Sequence, residues 1–148
     1  SAASDVYKRQ KEYPEKLVLP VDAKVTTEYS NDTPATIKDI TEFEYNEMGL
    51  DVGPKTIENF KKHLKDASIV VWNGPLGVYE FTNYQNGTKE LLKYLVDNNI
   101  KVILGGGDIV AAAATLGYKD KVYHASTGGG ATLEYLEGKK LPGIEIIK

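Results

Sequence analysis

Three glycine clusters stand where a chain could grip an anion. They are Gly74 within Asn73–Glu80 (NGPLGVYE), Gly105-Gly106-Gly107 before Asp108 and Ile109, and Gly128-Gly129-Gly130 after Ser126-Thr127. Glycine lets a backbone approach a ligand closely. A helix that starts at such a loop presents N–H groups with no partner in the helix and a partial positive charge. One glycine triplet alone is more often a permissive turn than a site. Two triplets and a third glycine loop in equivalent places point to a phosphate cradle. The familiar nucleotide fingerprints are absent. The G-x-G-x-x-G/A pattern fails at Val110, and G-x-x-x-x-G-K-[ST] occurs nowhere.

Asp108 follows the middle triplet at a predicted helix start. It reads equally as an N-cap accepting a helix N–H and as a magnesium carboxylate beside phosphates. Glu80 reads either as a solvated loop acid or as an acceptor from ribose hydroxyls. His63 lies among lysines on a helix and reads as surface. His124, at a strand end, reads as a structural hydrogen-bonding residue rather than a base. Tyr79 and Trp72 read as packing residues rather than as a stacking platform.

These loops need elements to hold them. Ser68–Trp72 (SIVVW) and Lys101–Leu104 (KVIL) are short β-branched apolar runs, the pattern of strands buried on both faces. Lys121–Tyr123 is predicted as a third strand. Helices are predicted from Pro54, over Thr88–Val96, around Ala111–Ala114, and over Ala131–Leu136. Ile57, Phe60 and Leu64 mark the apolar face of the first. The alternation implies a parallel sheet with helices on both faces, an α/β fold. Ligands of such sheets bind beyond the carboxyl ends of the strands, where all three glycine clusters fall. Upstream, Lys16–Thr27 and Thr36–Ile40 flank the turn cluster Ser30–Pro34 and predict a hairpin. Ser1–Gln10 is polar, without the apolar stretch of a secretory signal. It reads as a leader, unrelated or disordered, or as a frayed helix, and is set apart from the fold.

Composition narrows the classes. The 148 residues suit one domain. A formal charge of −3 argues against a phosphate-neutralising nucleic-acid surface. Zero cysteines exclude a disulfide framework, a thiol nucleophile and a thiolate zinc site. Two histidines make a multi-histidine metal site a poor reading. No stretch approaches the roughly 20 apolar residues of a membrane-spanning helix.

Taken together, the motifs resemble the C-terminal part of phosphoglycerate kinase, from about residue 11 to 147. The matching segments are LPVD (Leu19–Asp22), MGLDVGPKT (Met48–Thr56), VVWNGPLGVYE (Val70–Glu80), GTK (Gly87–Lys89), GGGD (Gly105–Asp108) and DKVYHASTGGGATLEYLEGKKLPG (Asp120–Gly143). Their order and spacing, more than any one of them, carry the resemblance. It implies a Rossmann-like sheet belonging to the incomplete C-terminal domain of a two-domain kinase, with residues 11–148 as the nucleotide-binding half-domain.

The resemblance also implies Mg²⁺-dependent phosphoryl transfer between 1,3-bisphosphoglycerate and ADP, giving 3-phosphoglycerate and ATP, in the cytoplasm. Gly49 and Gly74 would line the nucleotide, and Glu80 would hold its ribose. Gly106, Gly107, Asp108 and the Ile109 N–H would approach its phosphates, with Asp108 serving Mg²⁺. Gly128, Gly129 and Gly130 would face the phosphoryl group in flight. Such transfer is mostly positioning and charge stabilisation, which suits glycines and a metal carboxylate.

Two departures stand out. Ile109 occupies a position that is usually Ser or Thr, so a hydroxyl that would cap the helix or touch phosphate is missing. The chain is also about a third of a family member's length. That implies as partner a missing N-terminal domain with its phosphoglycerate site, an inactive isolated chain and a monomer when complete. Nucleic acid and membrane are not expected partners. A stand-alone phosphate-binding α/β module without catalysis, or a piece without function, are the competing readings.

Overall fold

The predicted strands form where β-branched residues run together. Ile69–Trp72 (β4) and Lys101–Gly105 (β5) pair in parallel, Ile69 against Lys101 through Trp72 against Leu104. Val70, Val71, Trp72, Val102 and Leu104 are fully buried, as apolar runs without alternation require. The structure is a computed structural model that describes residues 2–14, 16–128 and 144–147. In chain order its elements are α1 (Ala2–Glu12), β1 (Asp22–Thr26), β2 (Thr36–Asp39), β3 (Met48–Val52), α2 (Pro54–Leu64), β4, α3 (Asn86–Asp97), β5, α4 (Gly107–Thr115), β6 (His124–Ser126) and β7 (Ile144–Ile147). Single 3₁₀ turns lie at Thr82–Tyr84 and Lys119–Lys121.

Two sheets result. One is antiparallel, in the order β2-β1-β3, and contains the predicted hairpin, with Asp22 opposite Asp39 and Val25 opposite Thr36. The other, in the order β6-β5-β4-β7, is parallel through its first three strands. β7 joins β4 in antiparallel register, Ile69 opposite Ile147. The chain is therefore mixed α/β rather than wholly parallel. α2 packs on α3, and α3 and α4 pack on β5. Leu91, Leu92 and Leu95 of α3 and Ala112 and Ala113 of α4 are fully buried in the same core. Among the described residues, no helix is long and apolar enough to cross a membrane.

The structure departs from these expectations at the third strand and at β3. The third parallel strand is His124–Ser126, not Lys121–Tyr123. Gly117, with φ +82°, ends α4, and the 3₁₀ turn then consumes residues 119–121. Only at Tyr123, whose N–H donates to Val102 O at 3.0 Å, does the chain reach the edge of β5. β3 was not predicted, because Gly49 and Asp51 interrupt any strand-like pattern. Of the polar segment set apart from the fold, residues 2–10 lie within α1, the helical one of its readings. The predicted helix over Ala131–Leu136 lies outside the described residues.

Helix α2 shows how the antiparallel sheet is tied to the helices. Its N-cap residue is Gly53, which has no side chain, and Pro54 occupies the first turn. The missing cap comes from β1. The Asp22 carboxylate accepts from Lys55 N–H at 3.0 Å, Thr56 N–H at 2.8 Å and Thr56 Oγ1–H at 2.6 Å. Thr56 Oγ1 in turn accepts from Val21 N–H at 3.0 Å and Asp22 N–H at 3.1 Å. A Cβ on residue 53 would come within 2.3 Å of the Asp22 carboxyl carbon, so glycine is required there.

Candidate functional site

Parallel pairing brings the first two glycine clusters and Gly128, the start of the third, to one sheet edge. Trp72 and Leu104 are opposite one another, as are Gly105 and Ser126. The loops after β4, β5 and β6 therefore leave the sheet side by side. Gly106 N–H donates to Ser126 O at 2.8 Å, which joins the second loop to the third.

The middle loop turns sharply into α4. Gly106 is the N-cap residue, with φ +123° and ψ 143°, a conformation that side-chain-bearing residues rarely adopt. The first helical bond of α4 is Val110 N–H to Gly106 O at 3.2 Å. The N–H groups of Gly107, Asp108 and Ile109 precede it, and among the described residues no side chain caps them. They are the first-turn donors of a helix that begins at the strand end, where an anion would complete them. A Cβ on Gly107 would meet nothing within 4 Å among the described residues.

Asp108 is exposed in that first turn and does not cap the helix. Of its two sequence readings, the capping one is therefore not realised. The Ile109 side chain is fully buried in the core, so only its backbone belongs to the edge. A hydroxyl at that position would point into the core as well.

The loop after β4 is held by buried groups. Trp72 Nε1–H donates to Gly74 O at 2.6 Å, and the indole is fully buried, a packing and anchoring role rather than a stacking platform. Leu76 N–H donates to Oγ1 of the buried Thr88 at 3.0 Å. Val78 N–H donates to Leu50 O at 2.9 Å, which lays the loop along β3 beside Gly49. Gly74 has φ +83° with open space around its Cβ position. Glu80 is exposed at the loop's end. Tyr79 connects the two loops electrostatically. Its phenol is pushed above its ordinary range by desolvation, and by the negative charges of Glu80 and Asp108.

Gly128 N–H donates to Ser126 Oγ at 3.2 Å; Gly129 and Gly130 lie outside the described residues. His63 is exposed on α2 with Nδ1 2.9 Å from Asn59 O. A cavity of about 340 Å³ sits elsewhere, lined by Lys24, Asn31, Thr33, Asn83 and Tyr84 among others, and takes in none of the glycine loops.

Nucleotide and magnesium can be tested against these residues. Three helix N–H groups without a side-chain cap among the described residues, and glycine on both loops, suit phosphate oxygens. Among the described residues, no group of three or more His, Cys, Asp or Glu could hold a metal. One exposed carboxylate, Asp108, suits a Mg²⁺ that takes its other ligands from phosphates and water. Sequence reading did not single out Asp22, Thr56, Asp51 or Thr88, the buried polar residues that hold these loops and helices. The only signal was that they fall inside LPVD, MGLDVGPKT and GTK; the pairing of Asp22 with Thr56 across 34 residues and of Asp51 with Gly87 across 36 had none.

The sequence model of the phosphoglycerate kinase family matches residues 1–139, a span that includes α1. A phosphoglycerate kinase of Dictyoglomus turgidum is 45% identical over 147 residues, covering 99% of this chain and 37% of that protein. One from Lactobacillus johnsonii is 54% identical over 136 residues, covering 90% of this chain and 33% of that one. The solved phosphoglycerate kinase of Coxiella burnetii superposes with a TM-score of 0.82 at 40% identity, over 93% of this chain and 36% of that one. That of Pyrococcus horikoshii gives 0.73 at 30% identity, over 95% and 36%. The chain thus spans about a third of the length of the relatives it matches.

Proposed function

This chain belongs to the phosphoglycerate kinase family, and from that membership we propose that it supplies the nucleotide side of phosphoryl transfer between 1,3-bisphosphoglycerate and ADP. The reading makes residues 11–148 a nucleotide-binding half-domain. It works in the cytoplasm as part of glycolysis, with the remaining two-thirds of a family chain as its partner. The observation that carries it is the first turn of α4, whose Gly107, Asp108 and Ile109 N–H groups at the end of β5 have no side-chain cap among the described residues.

In this reading those N–H groups receive nucleotide phosphate oxygens. Gly106 makes the turn that lets the phosphates approach, and Gly49 and Gly74 line the nucleotide. Glu80 accepts from the ribose hydroxyls. The Gly128–Gly130 loop donates backbone N–H groups to the phosphoryl group as charge spreads over its equatorial oxygens. Asp108 holds Mg²⁺, which when bound offsets the phosphate charge. No side chain of this edge serves as nucleophile, because the substrate's own oxygens are attacking and leaving groups.

The test is calorimetric titration of MgADP onto the chain and its Asp108→Asn variant, followed by turnover of each after joining to the rest of a family chain. Asn keeps the size but loses the charge that a hard cation prefers. Expected are weaker, less magnesium-dependent binding, a steep loss of turnover and an unchanged melting temperature. Turnover like the parent's across a magnesium titration would sink the assignment.

A further inference from the structure

Asp51, on β3, has no role in the nucleotide reading, yet its carboxylate reaches from its own strand to the first turn of α3, the helix that follows the loop after β4. The residue is 4% exposed. Val52 N–H donates to its Oδ1 at 2.8 Å and Gly87 N–H to its Oδ2 at 3.1 Å. From β1 it faces Lys24, its cross-strand partner, whose ammonium donates to Asn83 O at 2.7 Å and lies 5.2 Å from the Tyr84 ring centroid.

From the loop after β4 it faces Gly77. A Cβ there would come within 2.6 Å of Asp51 Oδ1 and 2.7 Å of Tyr84 O. A Cβ on Gly87 would come within 2.5 Å of the same Oδ1. The carboxylate occupies the space that both glycines leave. One residue beyond Gly77, Val78 N–H is bonded to the carbonyl of Leu50, the neighbour of Asp51.

We propose that Asp51 is the positioning residue of loop 73–80. Its carboxylate, clamped between Gly77 and the first turn of α3, sets how far the loop stands from α3 and so aims Gly74 and Glu80 at the ligand. The aiming clause rests on the nucleotide reading of this edge. An ionised carboxylate accepts from all its N–H neighbours, whereas a protonated one brings a donor into a set made mostly of donors. Burial raises this carboxyl to about 6, outweighing the N–H bonds and Lys24 that pull it down. The clamp is therefore complete above that pH and loosens below it.

The experiment follows backbone amide shifts of the ¹⁵N-labelled chain between about pH 5 and about pH 8, without nucleotide. MgADP is then titrated at both ends of the range for the parent, Asp51→Asn, Gly77→Ala and Asp108→Asn. In the parent, the Gly87, Gly77 and Val78 amides should move together with one midpoint near 6, and MgADP should bind more weakly at the acid end. In Asp51→Asn that midpoint should vanish, and affinity at the alkaline end should fall roughly fivefold or more. The nucleotide's own protonation is common to all four proteins and cancels. Gly77→Ala keeps the carboxylate and displaces the loop, so it should weaken MgADP while retaining the Gly87 midpoint, even if the Asn variant fails to fold. Asp108→Asn should keep the whole amide titration.

If Gly87 titrates while Gly77 and Val78 stay still, Asp51 merely caps α3 and the proposal is wrong. Parent-like MgADP affinity in both Asp51→Asn and Gly77→Ala would overturn it equally. If the amides move together but the parent binds no MgADP at either pH, the positioning stands and the nucleotide reading is what fails.

Discussion

Asp22→Ala should be among the most damaging single substitutions in this chain, although the residue lies on the antiparallel sheet and not at the glycine edge. The change strips α2 of its only carboxylate cap. It leaves Lys55 N–H and the fully buried Thr56 N–H and hydroxyl without the acceptors they hold at 3.0, 2.8 and 2.6 Å. A hydrogen bond to a charged group is worth about 1.5–3 kcal/mol, and a buried donor left alone costs about 1–3 kcal/mol. Lys55 is exposed, so water can replace part of its loss. The sum is about 3–5 kcal/mol, against a total stability of about 5–15 kcal/mol.

For a chain of this size the loss corresponds to a fall in melting temperature of roughly 6–20 °C. Thr56→Val removes the hydroxyl that both accepts from Val21 and Asp22 and donates to Asp22. It should cost about 2–3 kcal/mol. The two residues share one network, so the double variant should fall short of the sum by about 1–2 kcal/mol. Urea unfolding of the parent, both single variants and the double variant measures all four terms. A loss under about 1 kcal/mol for Asp22→Ala, or strict additivity in the cycle, would refute the trans-capping account.

Two further outcomes follow from the same buried groups. Ile109→Thr places a hydroxyl in the core where Ile109 is fully buried, and should cost about 1–3 kcal/mol without tightening nucleotide binding; an unchanged melting temperature with tighter MgADP binding would show the side chain facing the ligand instead. Asp51 binds its proton more tightly folded than unfolded, about 6 against an ordinary 3.8. Relative to Asp51→Asn, the parent should therefore lose about 3 kcal/mol of stability as pH rises from below 3.8 through 6. Denaturant midpoints of the two proteins across that range check the sign, and a difference that does not change with pH contradicts it.

Strands β4 and β5, the helices that follow them, and the glycine loops at their ends were legible in the sequence because each is a local signal. A β-branched run such as Ile69–Trp72 can only be buried on both faces, and Gly-Pro or a glycine triplet breaks a chain wherever it stands. Parallel pairing then forces the three loops to one edge, so the place of the candidate site was readable before its geometry. Tertiary structure alone decided which residues hold that edge. Asp22 finds Thr56 at 34 residues' distance and Asp51 finds Gly87 at 36, and no period or spacing records such a meeting. It likewise decided that Ile109 turns inward and Asp108 outward, since both share one helical turn and only the core beneath α4 distinguishes them. β3 shows the same limit. Gly49 and Asp51 have poor strand propensity, and the strand exists because β1 pairs with it and because Asp51 has a buried place between two glycines that only the folded chain brings together.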